Sequence, residues 1–249
     1  MLLKKVERPQ PNHNIIPNFN MSFKSISFLL GYIIIVCIDL LCGYLDYQEY
    51  RLLTKPLIVI SLMIYFGIKG KHLPKSIYEY TVLAMFFSLV GDTLLLFDNR
   101  SPSFFMFGLM SFLLAHIGYT IVFIKQRNTK YSKVSWIVSI GLVTYGIALF
   151  SLIIKDLRGL MIPVSIYIIA ILTMAITSQN RMGNVSRQSY ILVLLGAFFF
   201  IISDSILAID KFHVSVPKAH FLIMGTYAIS QYLIVNGLLA SIDQNIKEN

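Results

Sequence analysis

The stretch Phe87-Ser-Leu-Val-Gly-Asp92-Thr-Leu-Leu-Leu-Phe-Asp98 places one carboxylate, Asp92, inside a long apolar run. A similar stretch, Phe199-Phe-Ile-Ile-Ser-Asp204-Ser-Ile-Leu-Ala-Ile-Asp210, follows 112 residues later. Four of the twelve positions are identical, including both aspartates of each stretch. Because a charge inside a hydrocarbon-spanning helix is costly, such a residue marks a functional site by default. The two stretches predict a site where the halves of an internal repeat meet.

The composition indicates a polytopic membrane protein. The chain has 249 residues, of which 56% are hydrophobic and 13% are charged, and its mean hydropathy is +0.72. Soluble domains usually contain about 25% charged residues. The net charge of +9 comes from basic residues that flank the apolar segments, so nucleic-acid binding is not expected. Cys37 and Cys42 have neither disulfide nor metal spacing and are interpreted as small packing residues.

Eight apolar segments predict an all-α fold of eight transmembrane helices. They cover roughly residues 25–45, 56–69, 76–97, 103–124, 134–154, 159–177, 189–210 and 218–240. Most approach the ~20 residues that cross a bilayer, and no strand-like alternation is present. The second segment is short, and Pro56 at its start is predicted to occupy the first helical turn. A shift of 112 residues maps segments one to four onto five to eight, which predicts a parallel 4+4 repeat.

The basic residues predict the orientation in the membrane. The N-terminus, the loops at 70–75, 125–133 and 180–188 and the C-terminus together contain 14 Lys/Arg when Lys69 is counted with its loop, and the opposite side contains seven. By the positive-inside rule, both termini face the cytoplasm. The expected organisation is a disordered polar tail (1–22), not a cleaved signal peptide, then the membrane domain (23–242) and a short tail (243–249). The sequence has no signal for the oligomeric state.

Several further polar residues lie on other apolar segments. The candidates for substrate binding or positioning are Lys55, His116, Tyr119, Tyr167, Tyr227 and Gln231. Each alone is explained by a hydrogen bond between helices, but together they surround the segments of Asp92 and Asp204. Asp39 fits a structural role and a place in the site equally well, and Lys55 alone also fits an interfacial anchor. The five histidines lack zinc-ligand spacing, so neither a metal nor a cofactor is expected.

The order of these motifs resembles that of the lysoplasmalogenase (YhhN-like) family of eight-helix membrane proteins. The similarity covers roughly residues 25–240 and is carried by Phe87–Asp92, Ala115-His116-Ile-Gly-Tyr119, Ser203–Ala208, Thr54-Lys55-Pro56-Leu57, Tyr167 with Ile171 and Met174, and Thr226-Tyr227-Ala-Ile-Ser-Gln231. The resemblance implies a lysophospholipid substrate in a membrane, such as that of the endoplasmic reticulum. It also implies cleavage of the substrate's vinyl-ether bond to a fatty aldehyde and glycerophosphocholine or glycerophosphoethanolamine.

Vinyl-ether hydrolysis needs a proton donor, an anion beside the developing cation and one water molecule. Two carboxyl groups in unequal surroundings supply the first two, as in glycosidases. We therefore expect Asp92 and Asp204 to be the catalytic residues and to share one secluded chamber, with neither assigned as the acid. A lipid transporter or scramblase that uses the same polar site is the alternative, since a parallel repeat also suits transport. A proton-coupled receptor or channel is a third possibility.

Overall fold

The structure is a computed structural model that describes residues 23–129 and 133–241. The described residues form eight long helices and no strands, which confirms the predicted all-α class. The helices are α1 (Phe23–Tyr44), α2 (Gln48–Lys69), α3 (Lys75–Leu95), α4 (Pro102–Lys125), α5 (Lys133–Ile153), α6 (Met161–Gln179), α7 (Arg187–Phe212) and α8 (Ala219–Leu239). The tails predicted at 1–22 and 243–249 lie outside the described residues.

The helices are built to cross a membrane. Seven of the eight described helices are long and apolar enough to do so. The eighth, α3, has 21 residues but includes the charged residues Lys75, Glu79 and Asp92. Large apolar side chains such as Ile137 and Ile162 point outward from the bundle, where hydrocarbon rather than water suits them. The chain is an integral membrane protein.

Helix α2 differs from the prediction at its start. It begins at Gln48, so Pro56 lies inside the helix and not in its first turn. A proline inside a helix removes the hydrogen bond to the carbonyl four residues earlier, here that of Leu52. Membrane helices tolerate this loss where neighbouring helices and polar side chains compensate. The two extra turns place Lys55 within the helix, where its side chain is buried.

The polar ends of several helices meet at one end of the bundle. Gln126, after α4, donates a hydrogen bond to Ser241 after α8 at 3.0 Å, and Ser186 donates to the Ala240 carbonyl at 2.8 Å. Arg181, in the loop between α6 and α7, is fully buried and donates to Gln126 Oε1 at 3.0 Å. Burial lowers the pKa of the Arg181 guanidinium below its usual value. These contacts bring the loops near residues 126, 181–186 and 240 together at the same end of the bundle.

Close packing joins α7 to α8. A Cβ atom added at Gly237 would lie 2.9 Å from the backbone nitrogen of Val193, and one added at Gly196 would lie 3.0 Å from the backbone oxygen of Ser230. Only a residue without a side chain permits this approach, as is common between membrane helices. The pair α3 and α4, which corresponds to α7 and α8 in the predicted repeat, also packs along its length.

The 112-residue repeat itself stays a prediction, although some contacts follow its spacing. Tyr119 and Gln231 are 112 residues apart and are hydrogen bonded to each other. Asp92 contacts Lys55 on α2, and Asp204 contacts Tyr167 on α6, again with both members shifted by 112. The two aspartates therefore occupy comparable places in the two halves but have chemically different partners.

Candidate functional site

The first group of predicted residues surrounds Asp204 on α7. The Tyr167 hydroxyl, from α6, donates a hydrogen bond to Asp204 Oδ2 at 2.5 Å. His116 Nε2, from α4, lies 3.2 Å from the same oxygen and 3.1 Å from the Tyr167 hydroxyl. His116 is fully buried, whereas 13% of the Asp204 side chain is exposed. Carboxyl, imidazole and phenol groups thus meet at one oxygen atom, an arrangement that can hold and transfer a proton.

The second group surrounds Asp92 on α3. Tyr227, from α8, donates to Asp92 Oδ2 at 2.7 Å. Lys55 Nζ, from α2, lies 3.7 Å from Asp92 Oδ1. The exposed fractions of the Lys55 and Asp92 side chains are 7% and 3%, so this is a buried ion pair rather than a boundary contact. Lys55 is therefore not an interfacial anchor.

Hydrogen bonds extend the second group deeper into the bundle. Gln231 donates from Nε2 to the Tyr227 hydroxyl at 3.1 Å and to Ser88 Oγ at 3.0 Å. The Tyr119 hydroxyl donates to Gln231 Oε1 at 2.8 Å. All four of these residues are buried, and the network leaves neither polar atom of the Gln231 amide without a partner. Such a satisfied network holds Tyr227, and through it Asp92, in one position.

Aromatic rings lie between the two groups. The Phe200 ring packs edge-on against His116, with 4.7 Å between centroids, and against Tyr227 at 5.5 Å. Phe112 packs against Phe200 at 6.4 Å and against Tyr227 at 5.8 Å. The absence of a side chain at Gly91 makes room for the Phe112 ring, because an added Cβ would lie 2.6 Å from it. The described contacts thus divide the predicted residues into two groups, and a single chamber for both aspartates stays a prediction.

An apolar groove reaches Asp204. It is lined by residues of α4, α5, α6 and α7, and its polar members are Tyr145, Tyr167, Asp204 and Ser205. The Tyr145 hydroxyl is occupied, since it donates to Ser205 Oγ at 2.8 Å. About 40 Å³ of the groove is open to water-sized molecules. This exceeds the roughly 10–15 Å³ that one water needs, so the groove that Asp204 lines has room for water.

A further polar cluster near the start of α2 contains Asp39 together with Arg51 and His220, two residues that the sequence did not single out. Asp39 is fully buried and accepts a hydrogen bond from Thr54 at 2.7 Å. Arg51 Nη2 lies 2.9 Å from His220 Nδ1. Because arginine can only donate, His220 Nδ1 accepts and Nε2 bears the hydrogen, 3.8 Å from Asp39 Oδ2. The spacing of Arg51, Thr54 and Lys55 on one face of a helix was the available signal.

The fold and these groups define an integral membrane protein with two polar groups inside the bundle. One is a carboxyl–imidazole–phenol group whose carboxyl and phenol line an apolar groove, and the other is a buried ion pair. Comparison with known proteins identifies the family to which it belongs. The chain belongs to the YhhN family, whose profile matches residues 50–238.

Two relatives illustrate the similarity. Human lysoplasmalogenase TMEM86A is 30% identical over 156 residues, which are 61% of this chain and 62% of that protein. A lysoplasmalogenase of Mycobacterium bovis is 29% identical over 162 residues, which are 64% of this chain and 60% of that protein. The matched stretch thus covers less than two thirds of either relative. No solved structure was found to match the chain.

Proposed function

We propose that this protein hydrolyses the vinyl-ether bond of lysoplasmalogens and releases a fatty aldehyde and glycerophosphocholine or glycerophosphoethanolamine. The observation that carries the proposal is the apolar groove among membrane helices that is lined by Asp204 and Tyr167, both of which lie within hydrogen-bond distance of the buried His116. A long alkenyl chain suits such a groove, and the reacting bond would then lie at the carboxyl group. The names of the two relatives point to the same reaction.

The reaction proceeds through a cation and consumes one water. An acid protonates the vinyl carbon that is β to the ether oxygen, which leaves an oxocarbenium ion at the adjacent carbon. Water attacks this carbon and loses a proton, and the resulting hemiacetal collapses to the aldehyde and the glycerol hydroxyl. The enzyme therefore must supply a proton, stabilise a positive charge and admit water, and it regains its proton at the end.

In this proposal Asp92 and Asp204 have unequal roles. Asp204 faces the groove and transfers the proton, while Tyr167 and His116 hold it by hydrogen bonds. Asp92 is held by Lys55 and Tyr227 and acts behind the aromatic rings, where it fixes the position of the Tyr227 ring. It is a positioning residue for the groove.

Tyr119 and Gln231 are positioning residues of the same kind, since they support Tyr227 through the buried network. The Phe200 ring packs against Tyr227 on one side and against His116 on the other, and so transmits this support to the Asp204 group. The groove itself is lined by the aromatic rings of Phe105 and Phe212, and the faces of such rings attract cations, which suits the oxocarbenium ion.

The proposed orientation puts both termini in the cytoplasm, in the endoplasmic reticulum or another cellular membrane. The asymmetry of 14 basic residues against seven supports it. The loops that the contacts of Arg181 and Gln126 bring together are on the basic side. Asp204, about five residues before the apolar segment ends, would then lie in the half of the membrane away from the cytoplasm.

The test is product analysis with purified protein. Matched 1-alkenyl and 1-acyl lysophospholipids are incubated with the protein in lipid nanodiscs, and the products are identified by mass spectrometry. We expect fatty aldehyde from the alkenyl substrate only, and a loss of about 10²–10⁴-fold in its release rate for Asp204→Asn.

The matched control is Asp210→Asn on the same helix. Asp210 accepts a hydrogen bond from the Val216 backbone at 2.8 Å, which an asparagine oxygen can also accept. Normal aldehyde release from Asp204→Asn would refute the role of that residue. The absence of aldehyde, with movement of the lipid across the bilayer when the protein is placed in sealed vesicles, would refute hydrolysis and favour a lipid transporter.

A further inference from the structure

A second cavity lies at the outer end of the groove. It has a volume of about 690 Å³ and is lined by the turns that follow α5 (154–160) and by the last residues of α7. Among the side chains that the structure describes, the charged ones that line it are Lys155, Asp156 and Lys211. The groove beside Asp204 is apolar in contrast, so the polar character changes along α7 from the membrane interior to the outer face.

The two cavities are neighbours. Phe212, at the end of α7, lines both of them. Asp204 and Lys211 are seven residues apart on α7, which puts them on the same helix face and about 10 Å apart along the axis. In a lysophospholipid, one glycerol unit separates the ether oxygen from the phosphate. The flexible side chain of Lys155, which lines the outer cavity, covers the remaining distance, so one molecule can reach both Asp204 and the outer cavity.

The charges in the outer cavity are of both signs. Lys211 Nζ lies 2.7 Å from Asp98 Oδ2 and 5.0 Å from the centre of the Phe105 ring, so its position is fixed. Lys155 forms no ion pair with any residue whose side chain the structure describes. A purely anionic ligand would meet both lysines but also the carboxylate of Asp156.

Asp156 is the third charged residue of this cavity, and its Oδ2 atom lies 2.8 Å from His213 Nδ1. Its side chain is 42% exposed, so the carboxylate remains open to a ligand from the aqueous side. A ligand that has a positive group beside its negative group would satisfy Asp156 and the lysines together.

We infer that this outer cavity binds the zwitterionic headgroup of the substrate, with the phosphate at Lys155 and Lys211 and the amine at Asp156. The inference rests on the proposed function, because it takes the alkenyl chain to lie in the groove. The class of headgroup is defined by its charge. A phosphate with an attached ammonium group should bind more tightly than a phosphate alone. The bound headgroup then sets how far the ether bond reaches toward Asp204.

Binding of ligands that cannot be cleaved tests the inference separately from catalysis. Three 1-O-alkyl glycerols of equal chain length serve as probes: one with phosphocholine, one with phosphate alone and one without a headgroup. Their dissociation constants are measured by calorimetry on the full chain in nanodiscs, for the natural protein and for Lys155→Gln and Asp156→Asn. Lys218→Gln, an exposed lysine outside the cavity, is the matched control.

We expect Lys155→Gln to weaken binding of both phosphate-containing probes by about five- to tenfold and to leave the probe without a headgroup unchanged. Asp156→Asn should weaken the phosphocholine probe and not the phosphate probe, while Lys218→Gln should change none of them. Equal effects on all three probes, or no effect on any, would overturn the inference. If the binding results hold but no alkenyl lysolipid is cleaved, the catalytic proposal fails and the headgroup site stands.

Discussion

The buried pair of Lys55 and Asp92 allows a sharp prediction about stability. Replacing Lys55 by methionine leaves the Asp92 carboxylate with the Tyr227 hydroxyl but without a cation, in a place where 3% of its side chain is exposed. Breaking a buried ion pair by removing one partner costs about 3–5 kcal/mol, because an uncompensated charge stays buried. Asp92→Asn strands the lysine in the same way and should cost a similar amount.

The double variant Lys55→Met/Asp92→Asn removes both charges and keeps the hydrogen bond from Tyr227. We therefore expect it to be destabilised by much less than the sum of the single variants, with a coupling of at least about 2 kcal/mol. The free energy of unfolding is measured by reversible denaturation in mixed micelles, followed by circular dichroism. Costs that add within about 0.5 kcal/mol would show that the two residues do not act as a buried ion pair.

An exposed pair supplies the control. Lys75 Nζ and Glu79 Oε1 are 3.8 Å apart, nearly the same distance, but their side chains are 87% and 58% exposed. Pairs of this kind contribute about 0–1 kcal/mol, so Lys75→Met should change the stability little.

The double variant at Lys55 and Asp92 also tests the function of Asp92. If it folds and still releases aldehyde, Asp92 positions the site without supplying a catalytic charge.

Three further predictions follow from other contacts. Gly237→Ala should lower the free energy of unfolding by about 1–3 kcal/mol, because its Cβ would lie 2.9 Å from a backbone nitrogen of α7. The control Gly31→Ala, with no atom within 4 Å, should be neutral or stabilising. The unfolding temperatures of the two variants are compared, and equal shifts would contradict the close packing. Tyr167→Phe removes the hydroxyl that donates to Asp204 at 2.5 Å, so the rate of aldehyde release should fall about tenfold while the protein stays folded. An unchanged rate would exclude this hydroxyl from the reaction. Arg181→Lys loses some of the hydrogen bonds from the guanidinium to Gln126 and Ser189, so the free energy of unfolding should fall by about 2 kcal/mol or more. A variant as stable as the natural protein would show that these bonds contribute little.

Much of the helical architecture was predictable because hydrocarbon leaves the backbone few options. A spanning segment must satisfy its own hydrogen bonds, so a long apolar run becomes a helix whatever its neighbours do. The exception was α2, where Pro56 suggested a start and the helix instead begins at Gln48. A proline is compatible with both a first turn and an interior kink, and only packing against other helices decides between them.

The candidate residues were predictable for a related reason. A polar side chain within an apolar segment needs a partner inside the protein, so His116, Tyr167 and Gln231 could be recognised without knowing that partner. Arg51 and His220 were missed because they lie near helix ends, where solvated charges are common. Phe200 was missed because the sequence does not distinguish a phenylalanine that packs inside the bundle from one that faces lipid.

The sequence by itself determined that this chain is a bundle of membrane helices with carboxyl groups inside it, since both features depend on the local balance of apolar and polar side chains. Only the tertiary structure decided which groups meet. Asp92 pairs with Lys55, and Asp204, which lines the groove, meets His116 and Tyr167. The rotation of each helix about its own axis selects these partners, and that rotation is set by the packing of all the helices together.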